Sequence, residues 1–151
     1  FVSLHLSTAG IVYATDAEID VGSDPMRTEP SSWDWTAHGA VSPVRNLGQM
    51  GHCTTVAVTE SIQSMWVVEG HALMEMDVAV LDDCVDSTQI GFLSGVFDYV
   101  VGYGGLATST SCHGPVEIPI KSYKAVEPNA DSLQTALLRQ PIVVSVCAES
   151  W

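Results

Sequence analysis

Apolar positions along the chain change their spacing several times, and each change predicts an element. From Cys53 to Glu69 the segment carries Val56, Ile62, Met65, Trp66 and Val67, and Gly70 stands where a helix C′ residue belongs. This predicts a helix buried over much of its circumference. A shorter helix is expected over Glu75–Leu81, where Val78 and Leu81 lie three residues apart. Phe92, Val96, Tyr99 and Val100 predict a third over Phe92–Val101, ended by Gly102 and the Gly104-Gly105 pair. Glu117–Tyr123 reads as a strand, confined to an edge by Pro119. Asp131 offers a cap to a helix over Ser132–Arg139, which Pro141 stops. Ile142–Cys147 is a β-branched run and reads as a buried strand. Helices come first and strands late, so the expected class is α+β.

Beyond its first apolar run the chain divides into a polar entry and a compact body. Phe1–Ala14 ends in Val12-Tyr13-Ala14, the small-x-small pattern of a signal-peptide cleavage site, but has neither a basic start nor an initiator Met. It is too short to span a bilayer as a helix, and is expected as an extended segment packed on the body or on a partner. Asp16–Pro30 is polar and acidic, with Gly22, Pro25 and Pro30, and reads as a surface linker. Residues 1–30 are thus expected as an extension and 31–151 as the domain, beginning near Trp33; Ser42-Pro43 and Asn46–Gly51 read as turns.

Charge narrows the function classes. Five basic residues face eighteen acidic ones, for a formal charge of −13. General nucleic-acid binding needs clustered Lys and Arg to displace counterions, so it is disfavoured, as is docking to anionic membranes. A basic partner or an acidic lumen suits the chain better. The hydrophobic fraction of 46% argues against disorder. Cys53, Cys84, Cys112 and Cys147 form no CxxC pair and have no His at zinc-finger spacing. They fit a disulfide or two in a secretory compartment, or buried free thiols. His5, His38, His71 and His113 are scattered without metal-ligand spacing, and no metal or cofactor is expected. Asp82-Asp83 reads as solvated surface charge, and Trp33, Trp35 and Trp66 as core candidates.

The run Trp33-Asp34-Trp35 to Gly39-Ala40-Val41-Ser42-Pro43-Val44-Arg45-Asn46 resembles the opening of mature papain-family cysteine peptidases, "VDW…GAVTPVKNQG", which continues into "CGSCWAF" with the nucleophile. Here the continuation is Leu47-Gly48-Gln49-Met50-Gly51-His52-Cys53-Thr54. Glu75–Cys84 is similar to the family's "LSEQ-LVDC", Gly91–Leu106 to its "GG…AF-YV…GGL", and Gln140–Glu149 to the "QPVSV" strand that opens its second lobe. The resemblance covers about residues 30–150, in order. It implies a papain-like fold: a mainly helical first lobe with the beginning of a β-rich second lobe. It places Cys53 at the nucleophile position, where the start of a helix favours thiolate. In the family a His exchanges the proton, an Asn orients that His, and a Gln helps bind the oxyanion. The resemblance also implies a Cys84–Cys112 disulfide, a substrate-cleft place for Gly91 beside its plain reading as a turn glycine, and a pocket-lining place for Cys147 beside its plain reading as a buried strand residue.

The departures carry the functional expectation. Leu47 replaces the oxyanion Gln and has no donor, and Gln49 comes two positions too late. Thr54 replaces the Trp after the nucleophile. Met50 and Thr88 replace both partners of one family disulfide. The family's His and Asn lie roughly 130–150 residues beyond the nucleophile, whereas residues 54–151 are all that follow Cys53. His52 adjoins Cys53, but successive residues at a helix start point in different directions. The expectation is a pseudo-peptidase: Cys53 vestigial, the chain a structural or binding subunit with a protein partner covering the face of the second lobe. The alternative is a cysteine endopeptidase completed by a separate segment carrying His and Asn. A weaker third reading is a protease-inhibitor or peptide-binding module using the residual cleft around Gly91. Family ancestry implies a secretory, vacuolar, lysosomal or other lumenal setting.

Overall fold

The computed structural model describes the backbone of residues 9–13 and, in full, residues 30–45, 52–107 and 112–145. Its elements run β1 (Ala9–Tyr13), α1 (Cys53–Val68), α2 (Ala79–Cys84), α3 (Leu93–Tyr103), β2 (Gly105–Ala107), β3 (Val116–Pro119), β4 (Ser122–Val126), α4 (Ala130–Leu137) and β5 (Val143–Val144). Helices dominate the first part and short strands the second, so the class is α+β as the sequence predicts.

Helix α1 is the centre of the fold. Val58, Ile62 and Met65 are buried on it, but so are Thr55, Thr59, Ser61, Gln63 and Ser64, which means that neighbours cover it on nearly every side. Gln63, fully buried, donates its amide N–H to the Met74 carbonyl and so ties the helix to the following loop. The predicted stop is present. Gly70 adopts φ +94 and its N–H reaches the Val67 carbonyl at 2.9 Å.

The main core lies between α1, α3 and the β2–β3 pair, built from Ile62, Phe97, Val100, Leu106, Ile118 and their neighbours. Gly104, at φ +98, ends α3 and turns the chain directly into β2. At Gly105 a Cβ would run into the Ile118 carbonyl, so the close approach of β2 to β3 needs glycine. A smaller cluster joins Val126 and Ala136 with Leu133 and Ile142, fastening α4 to β4.

The expected extended segment at the N-terminus is a strand over Ala9–Tyr13. It lies in the middle of a three-stranded sheet ordered β4-β1-β5, antiparallel to both neighbours, with Ala9 opposite Val126 and Val144. Of the linker read over Asp16–Pro30, only Pro30 is among the described residues, and it is exposed.

Four expectations need correction. The second helix covers Ala79–Cys84 rather than Glu75–Leu81, because Gln63 and Arg45 take the carbonyls of Met74 and Met76, and the Asp77 carboxylate accepts the Ala79 N–H at 3.0 Å. The single strand over Glu117–Tyr123 is two strands in different sheets, parted where the Ile120 N–H turns to the Gly104 carbonyl. Helix α4 starts earlier, capped by Asn129, whose side chain accepts the Ser132 N–H at 2.9 Å; Asp131 lies inside its first turn. Of the three tryptophans, Trp35 and Trp66 are half-buried, but Trp33 is 45% exposed, stacked on His38 with centroids 4.4 Å apart. The strand Ile142–Cys147 is described only as Val143–Val144.

At the end of α1, burial raises the Glu69 carboxyl above its ordinary value, against the opposing pull of His71, which stacks on Trp66. A raised carboxyl favours the folded state below the unfolded-state value near 4.5 and loses that contribution as pH climbs through the folded value. Glu69→Gln is therefore expected to flatten the stability–pH curve just above pH 4.5, by no more than about 0.5 kcal/mol as for other exposed positions. Thermal midpoints of both proteins across pH 4–7 test this; identical curves would refute it.

Candidate active site

Cys53 is the first residue of α1, a free and exposed thiol. The residue before it, His52, is the N-cap in extended conformation, and its own side chain makes no cap hydrogen bond. The polar partner at this helix end is Asp82 on α2. Its carboxylate accepts the His52 N–H at 3.1 and 3.2 Å through its two oxygens, and Oδ1 also receives the hydroxyl of buried Thr55. The same hydroxyl lies 2.7 Å from the His52 carbonyl. Asp82 thus satisfies, from another helix, the N–H of the N-cap residue, the donor that the Glu of a capping box would take.

This corrects the reading of Asp82-Asp83 as solvated surface charge. Asp83 is exposed, but the Asp82 side chain keeps only 17% of its accessible surface. The one available signal was positional. In the "LVDC" of the family pattern an apolar Val occupies the place held here by Asp82, so an acid there had to find a buried partner.

Asp82 also settles where His52 points. The imidazole Nδ1 lies 3.5 Å from Oδ1 of Asp82, so the histidine beside Cys53 is drawn towards α2. Thr54, standing in place of the family's Trp, donates its hydroxyl to the Ile90 carbonyl and anchors the first turn of α1 to the loop before α3. Gly91 follows in that loop, exposed in a turn ahead of α3, with nothing within 4 Å of where a Cβ would sit. Leu47 and Cys147 lie outside the described residues.

Cys84 and Cys112 are joined by a disulfide, as the resemblance implies, tying the end of α2 to the segment before β3. Thr88, at the place of a family cysteine, instead closes a turn on Asp86. Its hydroxyl and N–H donate to one carboxylate oxygen at 2.6 and 2.8 Å and hold that carboxyl below its ordinary value, the hydroxyl foremost. The loop is held by hydrogen bonds where the family uses a second bridge.

Among the described residues no group of three His, Cys, Asp or Glu side chains converges in a metal-ligating arrangement. A cavity of about 320 Å³ opens between Trp33 and Trp35 on one side and Leu133, Leu137 and Leu138 of the α4 region on the other. Its lining contains no acid, base or thiol, and Cys53 is not part of it.

Comparison with known proteins agrees with this geometry. The profile of the papain family cysteine proteases matches residues 29–151. Zingipain-2 of Zingiber officinale is 31% identical over 138 residues, which cover 79% of this chain and 61% of the relative. Cysteine proteinase 3 of Dictyostelium discoideum is 27% identical over 143 residues, 82% of this chain and 42% of the relative. The chain thus spans less than two thirds of the length of either. Among solved structures, a recombinant stem bromelain precursor superposes with a TM-score of 0.65 at 21% identity, over 89% of this chain and 49% of that one, which establishes the papain-like fold. The chain belongs to the papain family of cysteine proteases.

Proposed function

We propose that this chain is a catalytically inactive papain-like protein, a pseudo-peptidase that acts as a structural or binding subunit of a larger assembly. The observation that carries the reading is what surrounds Cys53. The neighbouring imidazole is engaged by Asp82, and Thr54 is committed to a carbonyl. In the sequence, Leu47 aligns with the family's oxyanion Gln and brings no side-chain donor. Losing one oxyanion donor alone lowers turnover by about 10²–10³.

Support for a partner comes from the surface. Phe92, 66% exposed beside Gly91, and the fully exposed Val44 are large apolar groups left to solvent. The charge of −13 favours a partner with a basic face. The disulfide fits an oxidising setting: the secretory pathway, a vacuole or lysosome, or another organelle lumen. No described helix is long and apolar enough to cross a membrane. A second reading, an endopeptidase completed by a separate segment carrying His and Asn, draws on the free, exposed thiol at a helix start.

Hydrolysis of fluorogenic peptides tests the choice. The chain is expected to match its Cys53→Ala variant within the background rate. Turnover that Cys53→Ala abolishes would overturn the reading. If it appeared only with a second polypeptide present, the completed endopeptidase would take its place.

A further inference from the structure

We propose that Asp82 is a positioning residue that holds the Cys53 thiol unreactive by occupying the N-terminal end of α1 with a negative charge. The inference rests on the reading of Cys53 as a vestigial nucleophile position, and adds the device that keeps it silent. A helix start offers unpaired N–H groups and the positive end of the backbone dipole, and a cysteine placed there is activated because its thiolate is the anion those groups attract. Here a carboxylate already lies at that end. The Asp82 carboxylate receives the His52 N–H through both oxygens, takes the Thr55 hydroxyl as well, and is mostly shielded from solvent. A thiolate on the very next residue would form a second anion at the same helix end, opposed by the first.

The other polar groups around this end do not relieve that opposition. Thr54 gives its hydroxyl proton to the Ile90 carbonyl, so the first turn of α1 lends no side-chain donor to the sulfur. The imidazole of His52 lies against Asp82, its Nδ1 3.5 Å from Oδ1. Asp83, exposed on α2, adds charge of the same sign as Asp82. Asp82 therefore does two things at once: it caps α1, and it withdraws from Cys53 the field that would make it a nucleophile.

The two roles separate by charge. Asn keeps an acceptor for the His52 N–H without the charge, and Glu keeps the charge. The experiment follows alkylation of Cys53 in the full chain by peptide-mapping mass spectrometry, with neutral iodoacetamide and anionic iodoacetate, at low and high salt. Helix content is checked by circular dichroism. Asp82→Asn is expected to react about 2–5-fold faster than the parent at low salt, the effect of one charge at a helix end. The gain should be larger for iodoacetate, and smaller in 1 M salt where the Debye length is about 3 Å. Asp82→Glu should react like the parent. Equal rates in parent and Asn variant, or the same acceleration in the Glu and Asn variants, would overturn the proposal, as would a gain indifferent to reagent charge and salt. Its failure is distinct from failure of the pseudo-peptidase reading, which is decided by peptide turnover in the parent chain.

Discussion

Phe97→Ala is expected to lower the thermal midpoint by roughly 6–20 °C, from a loss of about 3–5 kcal/mol. Phe97 is 1% exposed at the middle of α3, and its ring stacks on Tyr123 of β4 with centroids 5.0 Å apart. Tyr123 is itself held, its hydroxyl donating to Asp98 at 2.8 Å, one residue along the same helix. The Phe97 ring therefore fills the space between α1, α3 and the strands and also helps fix α3 to β4. Domains of this size are stable by about 5–15 kcal/mol, so the loss is a large share of the whole. Phe97→Leu, which keeps most of the volume, should recover more than half of it. Near-ultraviolet circular dichroism during heating measures both. A midpoint for Phe97→Ala within 2 °C of the parent would mean that the core is not organised around this ring.

Removing the Cys84–Cys112 disulfide should cost a comparable amount. The bridge joins residues 28 apart, and closing a loop of that length restricts the unfolded chain by about 3–4 kcal/mol. Urea titration of the parent with and without reductant, beside the Cys84→Ser/Cys112→Ser variant, gives the value. Reductant should move the parent's midpoint towards that of the double variant and leave the variant unchanged. A parent insensitive to reductant would show that the bridge carries no stability. The local stakes are high because α2, which carries Cys84, also carries Asp82; loosening it is expected to uncap α1.

How legible the molecule was depends on the element. Helices α1 and α3 were readable because apolar spacing and glycine stops agree, as at Gly70 and Gly104, although Gly102, read as part of the stop, lies inside α3, which runs on to Tyr103. Helix α2 was misplaced because its start is set by Gln63 and Arg45, which take the Met74 and Met76 carbonyls from far along the chain. Such tertiary hydrogen bonds leave no periodic trace. The break between β3 and β4 has the same origin, an N–H at Ile120 turned to Gly104. Within the site, the place of Cys53 and its disulfide neighbours came from the family resemblance, not from spacing. Asp82 was invisible to charge counting, since an acid beside another acid looks solvated until the helix that it caps is known.

Native mass spectrometry of the protein from its source, with a thiol-reactive peptidyl electrophile added, tests the central claim most directly. The pseudo-peptidase account predicts a stable complex of higher mass in which Cys53 stays unlabelled. Rapid, stoichiometric labelling of Cys53, alongside a second chain that supplies the histidine and asparagine, would contradict it and make the protein one part of a working peptidase.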